Sequence, residues 1–161
     1  MILGIDPGIS GALAFLTPHE LVVEDIPILK TKKGTKIQTT IDAYALGRII
    51  DAKKITHCYI ESVHAMRGQG VSSSFNFGKS LGIIIGIVAA NFIPMTLVTP
   101  QEWKKALRVP ADKDGARARA SELMPQYNES WRLKKHDGRA EAALIAYWGS
   151  LRQEPVQTTS Q

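Results

Sequence analysis

The first 26 residues carry apolar positions in short bursts. The runs 2–6, 11–17 and 21–26 are each apolar, strand-length and followed by turn residues such as Pro7-Gly8 and Thr17-Pro18, which predicts an antiparallel meander of β-strands. Residues 27–39 are polar and lysine-rich and read as a loop. From there the apolar period lengthens. Residues 41–53 fit a helix with Thr40 as a candidate cap, 55-ITHCYIE-61 a buried strand, and 75–92 a very apolar helix reached through the Gly/Ser-rich connection 62–74. Residues 94–98 read as another strand. In 99-TPQEWKKAL-107, Thr99 suits an N-cap, Pro100 the first helical position and Glu102 the third, which together make a capping box. Helices are expected over about 113–124 and about 136–152, and the polar end 153–161 reads as a disordered tail.

Three hairpin-like strands followed by alternating helices and strands give an α/β pattern. It resembles the ribonuclease H-like arrangement, a mixed five-stranded sheet flanked by helices, in one domain over residues 1–152. In that arrangement the first strand and the strand 55–61 are parallel neighbours, about 4.8 Å apart. Asp6 ends one and Glu61 ends the other. The carboxyl ends of parallel strands are where such sheets place their sites, so the two acids are expected to point into one crevice. There they repel unless a proton or a cation lies between them.

The last helix adds two more acids. In 134-KKHDGRAEAALIAYWG-149, Asp137 and Glu141 are one helical turn apart on a shared face. If the apolar run AALIAYW packs this helix beside the crevice, four carboxylates converge. An all-oxygen set of that kind suits a hard cation, Mg²⁺ or its substitute Mn²⁺.

Composition narrows the partners. The formal charge of +5 points to a polyanion. The single cysteine, Cys58, leaves no internal disulfide framework and sits in an apolar run as an inert thiol. Residues 1–15 lack the basic start of a signal peptide, and the apolar run 81–93 is short for a bilayer span. The expectation is a soluble cytoplasmic protein with no membrane partner.

The elements GIDPG (4–8), YIE (59–61), FNFGKSLGIIIGI (75–87), VTPQEWKKAL (98–107) and KHDGRAEAALIA (135–146) occur in an order and spacing that resembles the RuvC-type Holliday junction resolvases, in particular the branch often encoded by bacteriophages. The resemblance runs from residue 2 to about 149. It implies a Mg²⁺-dependent endonuclease that cuts four-way DNA junctions, and other branched DNA, in recombination and repair. It implies a homodimer, working in the host cytoplasm if phage-encoded. It also implies two-metal hydrolysis leaving 5′-phosphate and 3′-hydroxyl ends, with Asp6, Glu61, Asp137 and Glu141 as ligands. At the last helix the match is imperfect. Many cellular members space two Asp residues by three, and alignment on EAALIA would put Gly138 in the first slot. His136 therefore stands as an alternative ligand or proton-transfer group.

For DNA contacts, Lys104, Lys105 and Lys113 resemble family lysines near the scissile phosphate. In 62-SVHAMRGQGVSSSFNFGK-79, His64 and Phe75 offer stacking surfaces, and Arg67 and Lys79 offer phosphate contacts. Two rival readings are weighed. The opening motif also resembles the phosphate-binding start of actin-like kinases, but the chain is too short for their second domain. A junction-binding protein with a degenerate nuclease site is disfavoured by its retained acids, because uncompensated clustered carboxylates are costly.

Overall fold

The computed structural model describes residues 1–62, 70–112 and 114–153, with Lys33 described by its backbone alone. Strands β1 (Ile2–Asp6), β2 (Ala12–Leu16) and β3 (Leu21–Asp25) form the antiparallel meander. Residues 28–41, which read from sequence as mostly loop, instead form a separate hairpin of β4 (Ile28–Lys33) and β5 (Lys36–Ile41). Helix α1 (Ala43–Asp51) is capped by Asp42 rather than Thr40. The Asp42 carboxylate accepts from the Ala45 backbone N–H at 2.9 Å.

Strand β6 (His57–Glu61) then runs parallel to β1. Helix α2 covers Val71–Ala90, beginning four residues before its expected start, and β7 (Met95–Val98) pairs parallel with β6. The remaining helices are α3 (Pro100–Ala106), α4 (Gly115–Leu123) and α5 (Asp137–Ser150). The expected capping box opens α3, and 3₁₀ turns at Pro125–Trp131 and Lys134–His136 lead into α5. The main sheet has the order β3-β2-β1-β6-β7, a mixed five-stranded sheet of the ribonuclease H-like kind.

Helices cover both faces, and the two-residue period of the strands sorts the core into two layers. Leu3, Ile5, Leu13, Phe15, Cys58 and Ile60 face α1 and α2, where Leu46, Ile50, Ile84 and Val88 are buried. Ile2, Ala12, Ala14 and Tyr59 face the layer containing Trp103, Trp131 and the alanine-rich side of α5. Asp6 and Glu61 belong to this second set by period, so both acids are directed to the α5 side of the sheet.

The apolar stretch of α2 is longer than the sequence pattern suggests. The helix Val71–Ala90 is long and apolar enough, by length and composition, to cross a membrane, unlike the shorter run 81–93 read from sequence. Its seat in this fold is instead fixed by Ile84 and Val88, which are buried in the core.

Helix α5 lies on β1 with almost nothing between them. A Cβ at Gly4 would stand 2.4 Å from both the Ala142 carbonyl oxygen and the Ala146 nitrogen. Glycine here is required by close approach of two backbones. Gly4→Ala is therefore expected to cost about 1–3 kcal/mol or more in urea unfolding, by overpacking against a helix backbone that has no side chain to move. Gly47→Ala, in α1 with open space around it, should instead be neutral or stabilise by about 0.5–1 kcal/mol. Equal effects at the two positions would contradict this packing.

Candidate metal centre

The parallel pairing of β1 with β6 sets Gly4 beside Tyr59 and Ile5 beside Ile60, and the next residues along are Asp6 and Glu61. Helix α5, seated on the same face of β1, brings Glu141. One carboxylate oxygen from each of Asp6, Glu61 and Glu141 lies within 4.8 Å of the other two. Three acids from three elements thus meet at the carboxyl end of the parallel pair.

Each is held differently. Glu61 is only 5% exposed, and its Oε1 accepts a hydrogen bond from the indole Nε1 of Trp103 at 3.0 Å. Trp103 is itself fully buried, delivered by the capped start of α3. Burial raises the pKa of Glu61, Glu141 raises it further, and the Trp103 bond and Lys104 oppose the shift. Asp6 is raised well above the usual carboxylate range, again by burial first and then by Glu141 and Glu61, with Lys104 opposing. Glu141 is paired with Lys104, Nζ to Oε1 at 2.7 Å. Burial pulls the Lys104 amine down, but Glu141, Glu61 and Asp6 together outweigh it and the net shift is upward.

The donor set fits a hard divalent cation. Carboxylates held close together and shielded from water repel, and positive charge between them relieves that repulsion. Gly138 helps to form the cradle: a Cβ there would stand 2.8 Å from Asp6 Oδ2 and 2.6 Å from the Ser10 carbonyl oxygen. The carboxylate of Asp6 occupies space that any larger residue would take.

Asp137, expected beside Glu141, is turned elsewhere. Its Oδ1 accepts from Arg117 Nε at 2.7 Å, and its side chain is 48% exposed against 22% for Glu141. Arg117, which also pairs with Asp114, holds it on the α4 side. The geometry of the helix explains the difference. At about 100° per residue, positions three and four before Glu141 flank it on opposite sides, and the crevice lies on the Gly138 side. Asp137 still shares with Glu141 and Lys104 the wall of a neighbouring cavity of about 320 Å³. His136 faces a different cavity, with Asp25, Lys135 and Arg139, where Arg139 makes a two-pronged ion pair with Asp25 at 2.6 Å.

Of the residues expected to contact DNA, Phe75 is 71% exposed near the start of α2. Lys79, farther along the same helix, lines a cavity of about 450 Å³ with Pro7–Ser10 and Thr39–Ile41. Lys105 is exposed on α3, and Lys104 is drawn into the acidic cluster. His64, Arg67 and Lys113 lie outside the described residues, as do residues 154–161 of the expected tail. From sequence alone Trp103 reads as packing, and Arg117 has no assigned role. The only sequence signal for Trp103 is chemical, since a buried indole N–H needs an acceptor.

No protein-family model and no curated protein sequence matches the chain. Solved structures do. Thermus thermophilus RuvC in complex with a Holliday junction substrate superposes with a TM-score of 0.63 at 13% identity, over 93% of this chain and 94% of that one. A second Thermus thermophilus RuvC structure gives 0.59 at 16% identity, over 93% and 95% of the two chains. The yeast mitochondrial Holliday junction resolvase Ydc2 gives 0.52 at 17% identity, over 91% and 77%. Over nearly its whole length, then, the chain has the fold of the RuvC-type Holliday junction resolvases.

Proposed function

We propose that this protein is a metal-dependent endonuclease that cuts four-way DNA junctions and related branched DNA. The observation that carries the reading is the convergence of Asp6, Glu61 and Glu141 at the end of the β1–β6 pair. The fold shared with proteins described as Holliday junction resolvases, one of them bound to a junction, supports the substrate class. Asp6, Glu61 and Glu141 would hold Mg²⁺, or Mn²⁺ in its place. Bound there, such cations would supply Lewis-acid chemistry for phosphodiester hydrolysis, which in this reading leaves 5′-phosphate and 3′-hydroxyl ends.

The chain's own groups orient this chemistry. Trp103 fixes the Glu61 carboxylate, so one ligand is locked before substrate arrives. Lys104 places a positive charge at the rim of the cluster, where a phosphate oxygen would approach. Lys79 and Lys105 extend the basic surface. Phe75 and, on sequence grounds, His64, Arg67 and Lys113 are proposed as further DNA contacts. Asp137 is a positioning residue in this reading, because it fixes Arg117 and the start of α5. His136, which lines a different cavity, is not a ligand in this reading.

A homodimer is part of the proposal. The outward side of α2 exposes Gly82, Gly86 and Ala89, small residues that permit a second helix to approach closely. Sedimentation at micromolar concentration should give a dimer for the native chain and a monomer for Gly86→Glu. A native monomer, or a dimer untouched by Gly86→Glu, would count against this surface.

Cleavage of an end-labelled four-way junction should require Mg²⁺ or Mn²⁺ and stop in chelator. Asp6→Asn, Glu61→Gln and Glu141→Gln should each lower the rate by at least about 100-fold, taking several kcal/mol from the barrier stabilisation, while junction binding persists. Asp137→Asn should lose much less. Full activity in any of the first three, or loss in Asp137→Asn as deep as theirs, would redraw the ligand set.

The raised pKa values of Asp6 and Glu61 predict a pH signature in chelator. A carboxylate that holds its proton more tightly when folded favours folding at low pH. That contribution is lost as pH climbs from the ordinary carboxylate range, about 4, through the raised value. Asp6→Asn removes the penalty, so its Tm should exceed the native Tm by a margin that widens from pH 4 to neutrality. A margin independent of pH would show that Asp6 is ionised without cost.

A further inference from the structure

The β4–β5 hairpin is not absorbed by any of this. It stands apart from the main sheet as a two-stranded ribbon. Residues 28–41 contain Lys30, Lys32, Lys33 and Lys36, and no acid. Four of the chain's twenty basic residues and none of its fifteen acids fall in this stretch, so the hairpin carries +4 of a formal net charge of +5. The basic excess of the protein is almost entirely local. Lys30, Lys32 and Lys36 are exposed and form no ion pair among the described residues. Register places Lys30 opposite Thr39 and Lys32 opposite Ile37 on one face, with Ile37 71% exposed near the tip. An exposed apolar residue flanked by unpaired lysines is poor packing surface and good polyanion surface.

The base of the ribbon is tied to the candidate centre. Ile26 N–H donates to the Gly11 carbonyl at 3.1 Å, and Asp42 N–H closes the hairpin onto the Pro27 carbonyl at 2.8 Å. Thr39, Thr40 and Ile41 share the wall of one cavity with Pro7 and Gly8, which directly follow Asp6, and with Lys79 of α2. A strand of nucleic acid that crosses the turn after Asp6 would pass Lys79 and the base of the ribbon.

We infer that the β4–β5 hairpin is a second DNA-binding element, which grips the phosphates of one duplex arm of the branched substrate while the carboxylate cluster meets the strand to be cut. The inference rests on the proposed nuclease function and names an interaction that function does not require. A two-stranded ribbon fits the B-DNA major groove, about 12 Å wide. The lysines supply charge without sequence readout, which suits an element that holds an arm rather than selects a base.

The test compares the native protein with Lys30→Gln/Lys32→Gln/Lys36→Gln and with a control that removes equal charge elsewhere, Lys54→Gln/Arg132→Gln/Lys134→Gln. Binding to a labelled four-way junction is measured from 50 to 300 mM salt, and single-turnover cleavage at saturating protein in Mg²⁺. The hairpin variant should bind at least about tenfold more weakly at moderate salt. The slope of log affinity against log salt should fall by about 2–3, near one for each phosphate that is no longer neutralised. Its saturated cleavage rate should stay within about twofold of native, and circular dichroism should show native folding. The control should change affinity by less than about threefold. An unchanged slope, or a control as weak as the hairpin variant, would overturn the inference while leaving the nuclease reading intact. A native protein that neither binds nor cuts the junction would overturn both.

Discussion

The structure depends on one close approach, the seating of α5 directly on β1. Gly4 leaves no side chain between strand and helix, and the small residues Ala142 and Ala146 meet it from the other side. Alanine-rich helix faces bury little area per residue, but they permit dense backbone packing with few rotamers to fix. The gain here is positional. Two residues beyond Gly4 the strand ends in Asp6, and one residue before Ala142 the helix carries Glu141. The packing that holds helix to sheet therefore also sets the separation of two acids, and the parallel β6 strand adds Glu61 without any further device.

Such a cluster opposes folding. Asp6 and Glu61 are shielded from water among like charges, and both effects raise their pKa values by disfavouring the ionised form. Two neighbours offset part of it. Trp103 gives Glu61 a donor that water would otherwise supply, and Lys104 gives Glu141 a counter-charge. Both come from α3, whose start is fixed by the capping box of Thr99 and Glu102. A helix of seven residues can serve this purpose because its buried Trp and its first turn are both anchored.

Much of this is legible in the sequence, for physical reasons that differ by element. Strand ends at Asp6 and Glu61 stand out because apolar runs end abruptly in a carboxylate, and parallel pairing then makes them neighbours. The capping box at Thr99–Glu102 is a local pattern, and the structure contains it as read. The hairpin 28–41 is hidden, because four lysines interrupt its apolar positions and lysine has little intrinsic preference for strands. Its local signals are Gly34, which takes a positive φ of 61° at the turn, and the β-branched residues Ile37, Thr39, Thr40 and Ile41. The start of α2 at Val71 is masked by Ser and Gly, which favour loops. Spacing alone leaves Asp137 and Gly138 unresolved as neighbours of Glu141. Both are one turn away, and only the rotation of α5 on β1, with Arg117 arriving from α4, decides which faces the crevice.

The central claim is that Asp6, Glu61 and Glu141 form one cation site at the end of the β1–β6 pair. Anomalous diffraction from crystals soaked in Mn²⁺ tests it most directly. The account predicts manganese peaks within coordination distance, about 2.0–2.4 Å, of oxygens from all three residues, with Lys104 displaced from Glu141. Manganese bound only elsewhere, or coordinated by Asp137 and His136 with the Lys104–Glu141 pair intact, would contradict it.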